Sequence, residues 1–83
     1  MDSRSRPRVL VVDDDPAVRL ALRLVLDEHH DVVEAGDGGA ALALLNAYRV
    51  DVIVLDLLLP KVDGFQVLQH LRTLPRRIPV VVI

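Results

Sequence analysis

Val9-Leu10-Val11-Val12-Asp13-Asp14-Asp15-Pro16 is the stretch that decides the fold. From Arg8 to Asp13 the chain is short, β-branched and continuously apolar rather than alternating, as expected of a strand covered on both faces. Asp15-Pro16 then predicts a helix start, with Asp15 at the N-cap and Pro16 in the first helical position. A second run, Val52-Ile53-Val54-Leu55-Asp56-Leu57-Leu58-Leu59-Pro60, carries a lone carboxylate, Asp56, in otherwise apolar sequence. Two apolar strands that each end in acid, lying side by side, bring several carboxylates to one edge of a sheet. Such a cluster repels itself unless a divalent cation binds it. The same cluster can present one carboxylate as a nucleophile toward a phosphoryl group.

Outward from these runs, strands and helices alternate. The first helix is expected to run to about Glu28, with Val18, Ala21, Leu22, Val25 and Leu26 as its core stripe and Arg19, Arg23 and Asp27 as its solvent row. His29-His30 ends it. Asp31-Val32-Val33-Glu34-Ala35 reads as a second strand, and Gly36-Asp37-Gly38-Gly39 as a loop whose Asp37 caps the next helix. That helix is expected over 40–48, with Ala41, Leu42, Leu45 and Tyr48 inward. Asp51 to Asp56 is the third strand, and residues 60–64 form a turn. A third helix is expected from Phe65 to Leu74 with Phe65, Leu68 and Leu71 inward, and Pro79-Val80-Val81-Val82-Ile83 is a fourth strand. The βαβαβαβ order implies a parallel sheet with helices on both faces and right-handed crossovers. In such sheets ligands bind at the carboxyl ends of the strands, where Asp13, Asp14 and Asp56 all fall.

Composition narrows the class. At 83 residues the chain is one small domain, and its 52% hydrophobic content with only 2% aromatic residues requires a core of Val, Leu, Ile and Ala. The net charge of −2 gives no sign of nucleic-acid binding. Absence of Cys excludes a disulfide framework or thiolate metal site and fits the cytoplasm. Every apolar run is interrupted before it could span a bilayer. Residues 1–7 are polar and read as a disordered lead-in rather than a signal peptide. His29, His30 and His70 do not form a metal set: the first two end a helix and the third falls on a helix's polar side. Arg76-Arg77 reads as a solvated loop.

Together, Val11-Val12-Asp13-Asp14-Asp15-Pro16, then Val54 to Pro60, then Asp63-Gly64-Phe65, resemble the receiver domain of bacterial two-component response regulators. Ala35-Gly36-Asp37-Gly38 and Ile78 to Ile83 extend the resemblance over nearly the whole chain, with residues 8–83 as the receiver unit. It implies a flavodoxin-like doubly wound parallel sheet in the order 2-1-3-4. It also implies that Asp56 is the phosphoacceptor, attacking a phosphohistidine of a sensor histidine kinase or phosphotransfer protein. Asp13 and Asp14 would hold Mg²⁺, together with Asp56 and the backbone carbonyl of Leu58. Such a domain phosphorylates itself from a phosphodonor and is not a turnover enzyme. Independently of the family, a carboxylate attacks an anionic phosphoryl group readily only when nearby negative charge is neutralised, which a hard cation on oxygen ligands achieves.

The family pattern also sets expectations that this sequence departs from. A receiver continues with a Ser or Thr after the fourth strand, a further helix, a fifth strand ending in Lys, and a fifth helix. The sequence ends at Ile83 before these, and Lys61 does not stand in for that Lys. Labelling of Asp56 is therefore expected to be slow or partial. The strand Val80 to Ile83 is expected to be a bare apolar edge, and Ala17, Leu20 and Leu24 form a second apolar row on the first helix. A homo-oligomer covering one or both is the expectation, and the alternative function is a non-catalytic, self-associating receiver fragment. An unrelated phosphatase-like site fits poorly, since it wants an acid two residues after the nucleophile, where this chain has Leu58.

Overall fold

The computed structural model describes residues 6–56, 59 and 61–83, leaving aside the side chains of 61–63. Four strands, β1 (Arg8–Val12), β2 (Asp31–Ala35), β3 (Val52–Leu55) and β4 (Val80–Val82), alternate with three helices, α1 (Pro16–Leu26), α2 (Gly38–Ala47) and α3 (Lys61–Arg72). All pairings are parallel, as the alternation of strands and helices implied, and the strand order is β2-β1-β3-β4, as the family resemblance implied. β1 lies in the interior of the sheet, so Val9 to Val12 are all buried, which explains why that strand reads as unbroken apolar sequence.

The two faces of β1 belong to different cores. Leu10 and Val12 pack with Ala41, Leu45, Val50, Ile53, Leu55 and Val67 under α2 and α3. Val9 and Val11 pack with Val32, and with Leu22 and Leu26 of α1, on the other face. Both expected N-caps are present. Asp15 accepts the Ala17 N–H at 2.9 Å, and Asp37 accepts the Ala40 N–H at 2.8 Å.

The helices depart from expectation in phase more than in position. α1 turns Val18, Leu22 and Leu26 toward the sheet, but Ala21 and Val25 face outward, Val25 at 76% exposure. Arg19 and Arg23, expected in solvent, are half-buried instead. The reason is Glu34 on β2, which draws both guanidiniums down onto the sheet. The exposed side of α1 is left apolar, with Leu20 and with Leu24 at 73% exposure. α2 begins at Gly38, and Tyr48 at its end lies half in solvent under the Arg8 guanidinium, 5.0 Å from the ring centre, rather than inward.

α3 begins at Lys61, so the chain expected to turn through residue 64 is already helical. Among its described side chains Val67 is the buried one, while Phe65 at 61% exposure and Leu68 point outward. Both phases carry apolar residues at helical spacing, and only packing against the sheet chooses between them. His70, placed on the polar side from sequence, is half-buried with Nε2 enclosed and no hydrogen-bond partner among the described residues. Arg76 is not a free loop residue either, since its Nη2 donates to the Val50 carbonyl. Residues 1–5 of the polar lead-in lie outside the described residues. Arg6 donates to the Asp27 and His30 carbonyls, and the Pro7 carbonyl accepts the Asp31 N–H.

Candidate functional site

Parallel pairing of β1 and β3, with Val12 opposite Leu55, sets the next residues of both strands side by side. The sheet hydrogen bonds continue one step past each strand. Asp13 N–H donates to the Ala35 carbonyl at 3.0 Å, and Asp56 N–H donates to the Val12 carbonyl at 3.0 Å. Both acidic residues are thus fixed by backbone bonds to their neighbours before any side-chain interaction forms. The chain then turns away from β1 through Asp14, whose carboxylate is exposed.

The result is an acidic pocket at the carboxyl edge of the sheet. Asp13, Asp14 and Asp56 each offer a carboxylate oxygen, and these oxygens all lie within 4.8 Å of one another. Asp13 is 3% exposed and Asp56 half-buried. Burial pushes the Asp13 carboxyl above its ordinary range. A hydrogen bond from the Asp15 N–H (2.9 Å to Oδ1) opposes this, and the Asp56 and Asp14 charges add to the rise. Hard oxygen donors with excess negative charge suit a small divalent cation such as Mg²⁺. The pocket brings together three of the four ligands named from sequence. The fourth, the Leu58 carbonyl, lies outside the described residues.

Sequence reading missed the flank of this pocket. Arg19 donates through Nη1 to the Asp13 carbonyl at 2.7 Å, while its Nε meets Glu34 Oε1 at 3.2 Å. Arg23 Nε meets the other Glu34 oxygen at 2.6 Å. Hydrogen bonding from Arg23, then its charge and the bond and charge of Arg19, hold the Glu34 carboxyl below its ordinary range against the cost of burial. The available signal was two arginines one helical turn apart and an acid, Glu34, set between Val33 and Ala35 inside the second strand.

Fold and pocket together define a doubly wound α/β domain with an acidic site at the strand carboxyl ends. The family model for the response regulator receiver domain matches residues 9–83. Among curated relatives, the DNA-binding dual master transcriptional regulator RpaA of a Synechocystis species is 48% identical over 67 residues, covering 80% of this chain and 28% of that protein. Response regulator MprA of Mycolicibacterium vanbaalenii is 44% identical over 77 residues, covering 92% of this chain and 33% of that protein. Among solved structures, chemotaxis response regulator CheY4 of Vibrio cholerae superposes with a TM-score of 0.84 at 31% identity, covering 94% of this chain and 68% of that one. A Francisella response regulator receiver domain gives 0.80 at 37% identity, covering 93% and 64%.

This chain belongs to the response regulator receiver family of two-component signalling. It spans about a third of the length of the curated relatives it matches. The alternative of a non-catalytic, self-associating fragment is not favoured by these likenesses. Among the described residues, no helix is long and apolar enough to cross a membrane.

Proposed function

We propose that residues 8–83 form the receiver unit and that Asp56 is its phosphoacceptor, taking a phosphoryl group from a phosphohistidine on a sensor histidine kinase or phosphotransfer protein. The observation that carries this reading is the convergence of the Asp13, Asp14 and Asp56 oxygens within 4.8 Å at adjacent strand ends. A carboxylate oxygen of Asp56 attacks phosphorus, a P–O bond forms as the P–N bond breaks, and the imidazole leaves with the electron pair. One group is transferred per event, so this is self-phosphorylation rather than turnover catalysis.

Mg²⁺ would be held by Asp13, Asp14, Asp56 and the Leu58 carbonyl, and when bound it neutralises oxygen charge in the pocket. This chain's own residues do the positioning. The sheet bond from Asp56 N–H to Val12 fixes the nucleophile's backbone, and the Asp13 N–H bond to Ala35 fixes the first acid. Catalysis of this kind is mainly positioning and electrostatics. Because a sensor kinase forms its phosphohistidine from intracellular ATP, the domain is proposed to act in the cytoplasm.

DNA binding is stated of RpaA. The exposed Leu20, Leu24 and Val25 side of α1 and the exposed Val81, Val82 and Ile83 at β4 support a homo-oligomer. Incubation with acetyl phosphate and Mg²⁺, read by intact mass, tests phosphoacceptance: one added phosphoryl group, absent in Asp56→Asn, is expected. Labelling that persists in Asp56→Asn would refute the assignment.

A further inference from the structure

The Asp13–Asp15 turn is closed on both sides by one residue. The Arg19 backbone N–H donates to the Asp15 carbonyl at 3.1 Å, and its Nη1 donates to the Asp13 carbonyl at 2.7 Å. The guanidinium does not hang freely on that contact. Its Nε is braced by Glu34 at 3.2 Å, and Glu34 is held in turn by Arg23, which also donates to the Val32 carbonyl at 3.1 Å. The brace therefore runs from β2 through Glu34 and Arg19 to the end of β1. Gly36 lies against it: an added Cβ there would be 3.2 Å from Arg19 Nη1, so the guanidinium would have to move by a few tenths of an ångström.

The Asp13 carbonyl belongs to the same rigid peptide plane as the Asp14 nitrogen. Fixing that oxygen fixes the plane, and with it the direction in which Asp14 leaves the strand end. The task calls for arginine. Its planar fork reaches two acceptors at once, whereas an ammonium is a single point of charge.

We propose that Arg19, braced by Glu34, is a positioning residue for the acidic pocket: its clamp on the Asp13 carbonyl aims the Asp13 and Asp14 carboxylates at Asp56 and so sets the affinity for a divalent cation. The proposal rests on the reading of that pocket as a Mg²⁺ site. It makes a prediction opposite in sign to simple electrostatics. Removing a cation beside three carboxylates should tighten Mg²⁺ binding if charge alone matters. Removing a clamp should weaken it.

The experiment compares the wild type with Arg19→Met, Gly36→Ala and Asp14→Asn. Mg²⁺ is titrated against backbone amide shifts, and thermal unfolding and Asp15 amide exchange are followed in EDTA. Arg19→Met is expected to stay folded, to bind Mg²⁺ about tenfold more weakly, as loss of a partner that orients a ligand does, and to exchange the Asp15 amide faster without metal. Gly36→Ala, which keeps every charge but crowds the guanidinium, should show a smaller loss in the same direction. Where Arg19→Met does not fold, Gly36→Ala decides alone. Unchanged or tighter Mg²⁺ binding in the folded variants would overturn the proposal. Absence of Mg²⁺ binding in the wild type, or binding that survives Asp14→Asn, overturns the metal-site reading and this inference with it, and is told apart because it needs no Arg19 variant.

Discussion

Asp13→Asn should stabilise this domain in the absence of metal. Asp13 is buried, and its carboxylate oxygen lies within 4.8 Å of those of Asp56 and Asp14. Two unit charges at 4.8 Å repel by about 0.9 kcal/mol in a water-like medium and about 3.5 kcal/mol at an effective dielectric near 20. Asparagine keeps the oxygen that accepts the Asp15 N–H and gains an amide donor toward the remaining acids. Relief of about 1–3 kcal/mol is expected, which raises Tm by at least about 4 °C in a domain of this size.

The pH dependence follows from the raised Asp13 carboxyl. In the window between the unfolded carboxylate range, near pH 3.9, and the higher folded one, the native state binds more protons than the unfolded state. Stability of the wild type therefore falls as pH rises through that window and stays lower above it. Asp13→Asn lacks that fall, so its advantage is present at pH 7 and shrinks toward pH 3.9. Saturating Mg²⁺ should reverse the ranking at pH 7 by stabilising the wild type alone. Calorimetric or dichroism melts in EDTA and in Mg²⁺ provide the assay. A variant that melts several degrees below the wild type in EDTA would show that the Asp13 charge supports the fold, and the reasoning would fail.

Three further outcomes follow from the packing. Glu34→Gln should cost about 1–2 kcal/mol at pH 7; because Arg23 and Arg19 depress the folded Glu34 carboxyl, this difference is present above the unfolded range near pH 4.3 and vanishes as pH falls through the folded one, so denaturant melts at pH 7 and in acid should converge, and a pH-independent difference would contradict the ion-pair account. Val67→Ala should cost roughly 1.5–3 kcal/mol while Phe65→Ala stays within about 0.5 kcal/mol, and urea midpoints that rank the two the other way would put α3 in the phase that its sequence first suggests. Leu24→Glu should shift the mass measured by light scattering after size exclusion from a dimer or larger assembly toward the monomer; a wild type already monomeric at micromolar concentration would remove self-association.

How legible this domain is in its sequence depended on what each residue had to choose between. β1 and β3 are unbroken apolar runs with acid at their ends, so a carboxylate at each strand end could be read from the residues alone, whereas the adjacency of the two strands came from the family resemblance. Caps were equally local: Asp15 and Asp37 each precede a helix and bond within it. Helix phase was not local. α1 is apolar around most of its girth, and the side that faces the sheet was decided by Glu34 recruiting Arg19 and Arg23. In α3 the rows through Val67 and through Leu68 compete at the same spacing, and the strands beneath select Val67. The Arg19 contact with the Asp13 carbonyl involves a backbone atom, which no pattern of side chains announces.

The central claim is that the carboxylate of Asp56 is the group that receives phosphate. Intact-mass spectrometry of the wild type and Asp56→Asn, each incubated with acetyl phosphate in Mg²⁺ and in EDTA, tests it most directly. One phosphoryl group is expected on the wild type in Mg²⁺ only, and none on Asp56→Asn. Equal labelling of both proteins, or labelling of the wild type that is indifferent to EDTA, would contradict the account.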